Sequence, residues 1–176
     1  MTLQIVGHAI VSADGMIAGP DHRTPPSLRN DKDWARFQAA LDVAAIVVLG
    51  RIGHEAHPNP GRRRLVLTRR VATLASDPGD ANATLWNPEG LAWDAAARQL
   101  GLADGIVAVT GGQMVFDLFL SLFTGFDLVE AANVTIPGGI ACFSSADPVT
   151  ALTGAGLAVA EVTPLDPGVT LSVWKR

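Results

Sequence analysis

One stretch of the 176-residue sequence restricts the fold more than any other: Ile106-Val107-Ala108-Val109-Thr110-Gly111-Gly112-Gln113-Met114-Val115-Phe116. Residues 106–109 are apolar, rich in β-branched side chains and preceded by Asp104-Gly105, which predicts a short buried strand. Gly111-Gly112 ends it. Met114, Val115, Leu118, Phe119 and Leu122 then recur at helical spacing, which predicts a helix running through Phe123. A strand that turns through paired glycines into a helix leaves backbone N–H groups free to stabilise an anion. Glycine also removes the Cβ that would hold a ligand away from the main chain. The same pattern serves as a plain tight turn, so its meaning depends on the rest of the chain.

Residues 44–49 form a wholly apolar run of the kind expected inside a parallel sheet, and Gly50-Arg51-Ile52-Gly53 opens a second strand-to-helix junction. Further strands are predicted at residues 3–11, 64–68, 83–86 and 126–133. Residues 157–162 and 169–174 read as a closing antiparallel hairpin around Pro164-Leu165-Asp166-Pro167-Gly168. Ser12-Ala13-Asp14-Gly15 is a turn signal, and residues 16–26 read as a long surface loop. Asn30 or Asp31 is placed to N-cap a helix carrying Trp34, Phe37 and Leu41; Leu91, Ala95, Leu100 and Leu102 mark another. Strands alternating with helices predict a three-layer α/β/α domain spanning residues 1–176, with a mostly parallel sheet and an antiparallel C-terminal hairpin.

The composition narrows the class. The chain is 48% hydrophobic and 17% charged, which suits a well-buried sheet and is compatible with a homodimer. No apolar run approaches the roughly 18 residues of a membrane span. The opening residues lack a basic leader, so a cytoplasmic chain is expected. Cys142 is the single cysteine, which excludes an internal disulfide and a cysteine-based metal site. His8, His22, His54 and His57 form no recognisable metal constellation, and none is expected. The formal net charge of −4 argues against a nucleic-acid surface. Arg51, Arg62, Arg63, Arg64, Arg69 and Arg70 nevertheless crowd together in sequence, a pattern that favours a small polyanion as ligand. Trp34, Trp86, Trp93 and Trp174 read as core or interface anchors.

Several pieces, in this order, resemble the dihydrofolate reductase superfamily, most of all the riboflavin-biosynthesis reductase domain. Ser12-Ala13-Asp14-Gly15-Met16-Ile17-Ala18 is similar to the S-x-D-G-x-I-A signature of the riboflavin-type reductases. Gly50-Arg51 with Glu55, then Pro60-Gly61-Arg62 and Leu65-Val66-Leu67-Thr68-Arg69, resembles the dihydrofolate reductase run, and Gly111-Gly112 matches the glycine turn of both groups. The segment Pro25-Pro26-Ser27-Leu28-Arg29-Asn30-Asp31 with Trp34 is similar to the one that carries the active-site carboxylate. The sequence departs from these patterns at Pro26, where a Trp is usual, at Gly53, where a Thr is usual, and at Phe116, which lacks a hydroxyl. It also lacks the His-x-Glu and Cys-x-x-Cys pair of a zinc deaminase module.

The resemblance implies hydride transfer from NADPH to a pyrimidine- or pterin-type small molecule, with no nucleic-acid or membrane partner. It implies an aminouracil reductase of the riboflavin pathway; dihydrofolate reduction is the nearest alternative, and a non-catalytic nucleotide-binding protein on the same fold the next. By the same resemblance Asp31 is the catalytic, substrate-gripping carboxylate, with Asp33 its competitor, and Trp34 and Arg62 complete the substrate site. The cofactor set is Ala9, Ile17, Ala18, Gly50, Arg51, Ile52, Gly53, Leu67, Thr68, Arg69, Gly111, Gly112, Gln113, Met114 and Val115. In that set Arg69 would favour the 2′-phosphate of NADPH, and the loop at Ile17 and Ala18 would close over the nicotinamide.

Overall fold

The computed structural model describes residues 2–176. The chain runs β1 (Leu3–Ser12), β2 (Met16–Ala18), a 3-10 turn (Pro26–Leu28), α1 (Asp31–Asp42), β3 (Ile46–Gly50), α2 (Arg51–Ala56), β4 (Arg64–Leu67), β5 (Leu74–Asp77) and β6 (Asp80–Trp86). It continues through α3 (Trp93–Gln99), β7 (Gly105–Val109), α4 (Gln113–Phe119), β8 (Gly125–Ala131), β9 (Ile140–Ala141), α5 (Pro148–Gly154), β10 (Ala158–Asp166) and β11 (Val169–Lys175). Nine strands form one sheet in the order β10-β11-β8-β1-β7-β3-β4-β6-β5, and β2 pairs with β9 beside it. All neighbours from β8 to β6 are parallel; the hairpin at one edge and β5 at the other are antiparallel.

The apolar runs at the centre reflect burial from both sides. Ile46, Val48, Val107 and Val109 face a core closed by α3, α4 and α5, in which Trp86, Trp93, Phe116, Phe119, Phe123 and Phe126 interlock. Their rings meet edge-on or tilted, with Trp93–Phe119 centroids 5.0 Å apart and Phe123–Phe126 5.1 Å, a geometry that adds to the area they bury. Val47, Leu49, Val66 and Ala108 face the other way, under Phe37 and Leu41 of α1. Helix α1 starts where Asn30 Oδ1 accepts the Asp33 N–H at 3.0 Å, and Asp31 and Asp33 complement the dipole of its first turn.

Several expectations need correction. Residues 16–18 pair as β2 instead of lying in a loop, and the helix after Gly112 stops at Phe119, short of Phe123. Strand β5 and helix α5 were not foreseen, because Leu-Ala-Ser-Asp carries no alternation and a seven-residue helix carries too few turns for a period. Of the four tryptophans expected as core or interface anchors, Trp86, Trp93 and Trp174 are buried in the core and Trp34 is 52% exposed. The arginine cluster also disperses. Arg63 donates to the Leu100 carbonyl at 2.6 Å, and Arg64, fully buried, donates to Asp80 Oδ2 at 2.6 Å and to the Pro58 and Arg62 carbonyls. Both brace the chain and neither is placed to meet an anion. No helix of the described residues is long and apolar enough to cross a membrane.

Candidate active site

In an open parallel sheet, ligands bind beyond the carboxyl ends of the strands. The sheet order sets β1, β7, β3 and β4 side by side, so Ala9 within β1, Gly111 just after β7, and Gly50 and Leu67 at the ends of β3 and β4 fall along one row at the rim. The Gly50 N–H donates to the Gly111 carbonyl at 3.0 Å, which ties the two glycine junctions together. Gly111 has φ +106°, and a Cβ there would lie 3.0 Å from the Phe116 ring, so the turn demands glycine. The Gly111–Gly112 peptide is cis. Gly112 faces open space, and neither Gly50 nor Gly112 caps its helix with a side chain. Ile52 and Met114, in the first turns of α2 and α4, are exposed apolar side chains on the flanks of this rim. Gly53 and Val115 lie beside them in the same helices, Val115 buried against the core. Arg51 pairs with Glu55 at 2.8 Å and Arg69 with Glu89 at 2.9 Å; both pairs are on the surface, where such contacts are weak and readily exchanged. Thr68 closes β4 into the rim through its N–H to the Trp86 carbonyl.

The loop over this rim is pinned. Asp14 accepts the Ser12 hydroxyl at 2.5 Å and the Ile136 N–H at 3.1 Å, and these bonds hold its carboxyl below the usual carboxylate range. Strand β2 pairs with β9, placing Met16 against Ala141 and Ala18 against Ile140, while Gln113 of α4 donates to the Ala141 carbonyl at 3.1 Å. Gly139 lets this contact close: a Cβ there would sit 2.6 Å from the Ala18 carbonyl oxygen.

On the α1 side of the same strands, four charged or titratable side chains converge. Asp33 is only 8% exposed. Its Oδ1 accepts from Arg36 Nη2 at 3.0 Å, and Arg36 Nη1 donates to Asp127 Oδ2 of β8 at 2.8 Å. His8 of β1 sits opposite Asp127 in register, with Nδ1 3.3 Å from Asp127 Oδ2. Burial pushes the Asp33 carboxyl up, and the Asp127 charge adds to this, so that Arg36 and His8 do not bring it back to its ordinary value. Burial also pushes Asp127 up, but His8 and Arg36 outweigh it and hold that carboxyl below its ordinary value.

An aromatic run leads outward from this cluster. His8 packs on Phe37 with centroids 5.9 Å apart, Phe37 on Trp34 at 5.9 Å, and Trp34 on His57 at 6.3 Å. Trp34 and His57 line an open groove of about 600 Å³ with Gln38, Pro58, Pro60 and Arg62.

Two expected substrate residues stand differently from their assignment. Asp31 is exposed on the first turn of α1, while Asp33, two residues on, is the carboxylate that points into the fold. Arg62 lines the groove, yet all five of its N–H groups are occupied, by Asp42, Gln38 and Asn59. It braces the 58–62 turn to α1. Trp34 does line the groove. Sequence reasoning missed His8, Arg36, Phe37 and Asp127 as parts of one site. Helical phase held part of the signal, since Asp33, Arg36, Phe37 and Leu41 share one face of α1 and Asp31 does not. Asp127 and His8 meet only through strand pairing, which single-sequence periodicity does not encode.

A scan against family models finds no match, and a search of curated proteins finds none either. Solved structures are similar in shape. A dihydrofolate reductase from Enterococcus faecalis complexed with NADP(H) superposes with a TM-score of 0.69 at 15% identity, over 98% of this chain and 96% of that one. A riboflavin biosynthesis protein, so described, from Shewanella sp. PV-4 gives 0.70 at 16% identity, over 98% of both chains. A diaminohydroxyphosphoribosylaminopyrimidine deaminase/5-amino-6-(5-phosphoribosylamino)uracil reductase from Thermotoga maritima gives 0.70 at 16% identity; it matches 99% of this chain, which spans only 56% of that larger protein. The chain therefore has the dihydrofolate reductase-like fold, in the form shared with riboflavin-pathway reductases.

Proposed function

We propose that this chain is an NADPH-dependent reductase of a planar pyrimidine- or pterin-type ring, of the riboflavin-biosynthesis kind. The observation that carries the reading is Asp33: a buried carboxyl group at the inner end of an aromatic run, beside the strand whose next residue, Ala9, lies on the glycine-lined rim. The residues of that rim fit a dinucleotide. Gly50 and Gly112 offer backbone with no side-chain cap, and Gly112 opens on empty space where a Cβ would otherwise intrude. Backbone N–H groups of Arg51, Ile52, Gly53, Gln113, Met114 and Val115 would hold the pyrophosphate, and Leu67, Thr68 and Arg69 the adenosine end with its 2′-phosphate. Ile17 and Ala18, clamped by β9, would cover the nicotinamide against Ala9 and exclude water. NADPH, when bound, supplies the hydride.

Asp33 holds the polar edge of the ring and carries the proton that balances hydride addition. Its upward-shifted carboxyl suits a group that must be protonated for part of the cycle. Dihydrofolate fits less well, because Arg62 has no N–H left for an anionic tail. The test is NADPH oxidation with aminouracil- and dihydropterin-type substrates by the wild-type protein and Asp33→Asn. A general acid contributes about 10²–10⁴-fold to rate, so Asp33→Asn is expected to lower kcat by at least about 100-fold, with NADPH affinity unchanged. Wild-type turnover by Asp33→Asn contradicts the assignment, and no turnover by either protein favours a nucleotide-binding protein without catalysis.

A further inference from the structure

The inner end of the site carries more than the lone acid needed to grip a ring. Asp33 Oδ1 already accepts from Arg36 Nη2 at 3.0 Å, so Oδ2 is the oxygen with both lone pairs open to a ligand. Arg36 in turn is fixed between two carboxylates, its Nη1 on Asp127 Oδ2 at 2.8 Å, and His8 backs Asp127 from β1. A guanidinium has five N–H groups. Two of those on Arg36 meet Asp33 and Asp127; its buried Nε has no partner among the described residues. The cluster thus presents guanidinium donors beside one fully open acceptor oxygen.

We propose that Arg36 is a specificity-determining residue: it selects a ring edge with a carbonyl acceptor next to an N–H donor and rejects an amidine edge made only of donors. The proposal rests on the reading of this cleft as a site for a planar ring. An amidine edge engages a carboxylate through two parallel N–H bonds, one to each oxygen. Against the Asp33–Arg36 pair, one of its donors would compete with Arg36 Nη2 for Oδ1 and lie against guanidinium N–H groups in a part-buried site. A lactam edge meets the same pair with its N–H on Asp33 Oδ2 and its carbonyl on Arg36. Sites built this way discriminate strongly, because the wrong ligand leaves polar groups unsatisfied.

The test is calorimetric titration of wild type, Arg36→Gln and Arg36→Lys with two probes, uracil for the lactam edge and ring-protonated 2,4-diaminopyrimidine for the amidine edge. Wild type is expected to prefer uracil by at least about 10-fold, the lower end of what an unpaired buried hydrogen-bonding group costs. Arg36→Gln frees Asp33 Oδ1, so its preference should shrink by about 10-fold or reverse, and Arg36→Lys, lacking the fork, should fall between. Equal affinity of wild type for the two rings, a ranking unmoved by Arg36→Gln, or binding of neither ring overturns the proposal. Should Arg36→Gln not fold, the wild-type ranking and Arg36→Lys decide. NADPH titration of the same proteins stands apart: loss of NADPH binding by wild type would sink the reductase reading while leaving the ring-edge ranking to be read on its own.

Discussion

At the residue scale the candidate site depends on which of two neighbouring aspartates faces inward. Asp33 lies four residues before Phe37 and eight before Leu41, so it shares their face of α1; Asp31 is turned to solvent. Asp31→Asn is therefore expected to leave turnover within about twofold, a value typical of a surface substitution, and a collapse comparable to Asp33→Asn would restore Asp31 as the acid. Arg62 makes the opposite case. Its five donors are all held by Asp42, Gln38 and Asn59, so Arg62→Ala should cost about 1–2 kcal/mol in stability through lost hydrogen bonds. Substrate KM should barely change, and a large rise in KM with stability intact would make Arg62 a substrate ligand after all. The motif around Pro60-Gly61-Arg62 was legible in the sequence; the saturation of its donors was not, since Gln38 and Asp42 come from a different element.

At the element scale the β2–β9 clamp ties residues 16–18 to α4 through Gln113. Gly139 is the contact that allows it, and Gly139→Ala would force the Ala18 carbonyl and the Ile136 side chain apart. Overpacking of this kind costs about 1–3 kcal/mol locally; faster proteolysis between Asp14 and Arg23 with unchanged core stability is the expected signature, and protection equal to wild type would show the clamp to be irrelevant. Asp14 adds a pH dependence. Its carboxyl is held low in the folded state by the Ser12 hydroxyl and the Ile136 N–H, so its contribution is present above the ordinary carboxylate value and is lost as pH falls through its lowered one. Loop opening on acidification should be delayed in wild type and already present at neutral pH in Asp14→Ala, as read by hydrogen exchange of residues 13–18. The turn at Asp14-Gly15 was readable from composition. The pairing of residues 16–18 was not, because its partner at residues 140–141 is too short to show a period.

At the scale of the molecule, the high apolar content is accounted for by a nine-stranded sheet whose central strands are buried on both faces, with a largely aromatic layer under α3 to α5 and a largely aliphatic one under α1. The central parallel strands were legible because burial on both sides makes them continuous apolar runs. The far edge at β5 and the exposed strand β10 were not set by such runs; their partners define them. The same topology lines up Ala9, Gly50, Leu67 and Gly111 on one rim, where NADPH is proposed to bind. The most direct test is a titration of the protein with NADPH and, in parallel, NADH, followed by tryptophan fluorescence, for which Trp34 stands exposed at the adjoining groove. Saturable binding is expected, with NADPH favoured by at least about 10-fold, the worth of one charge-assisted phosphate contact. Binding of neither nucleotide would contradict it and leave a dihydrofolate reductase-like fold without the chemistry of a reductase.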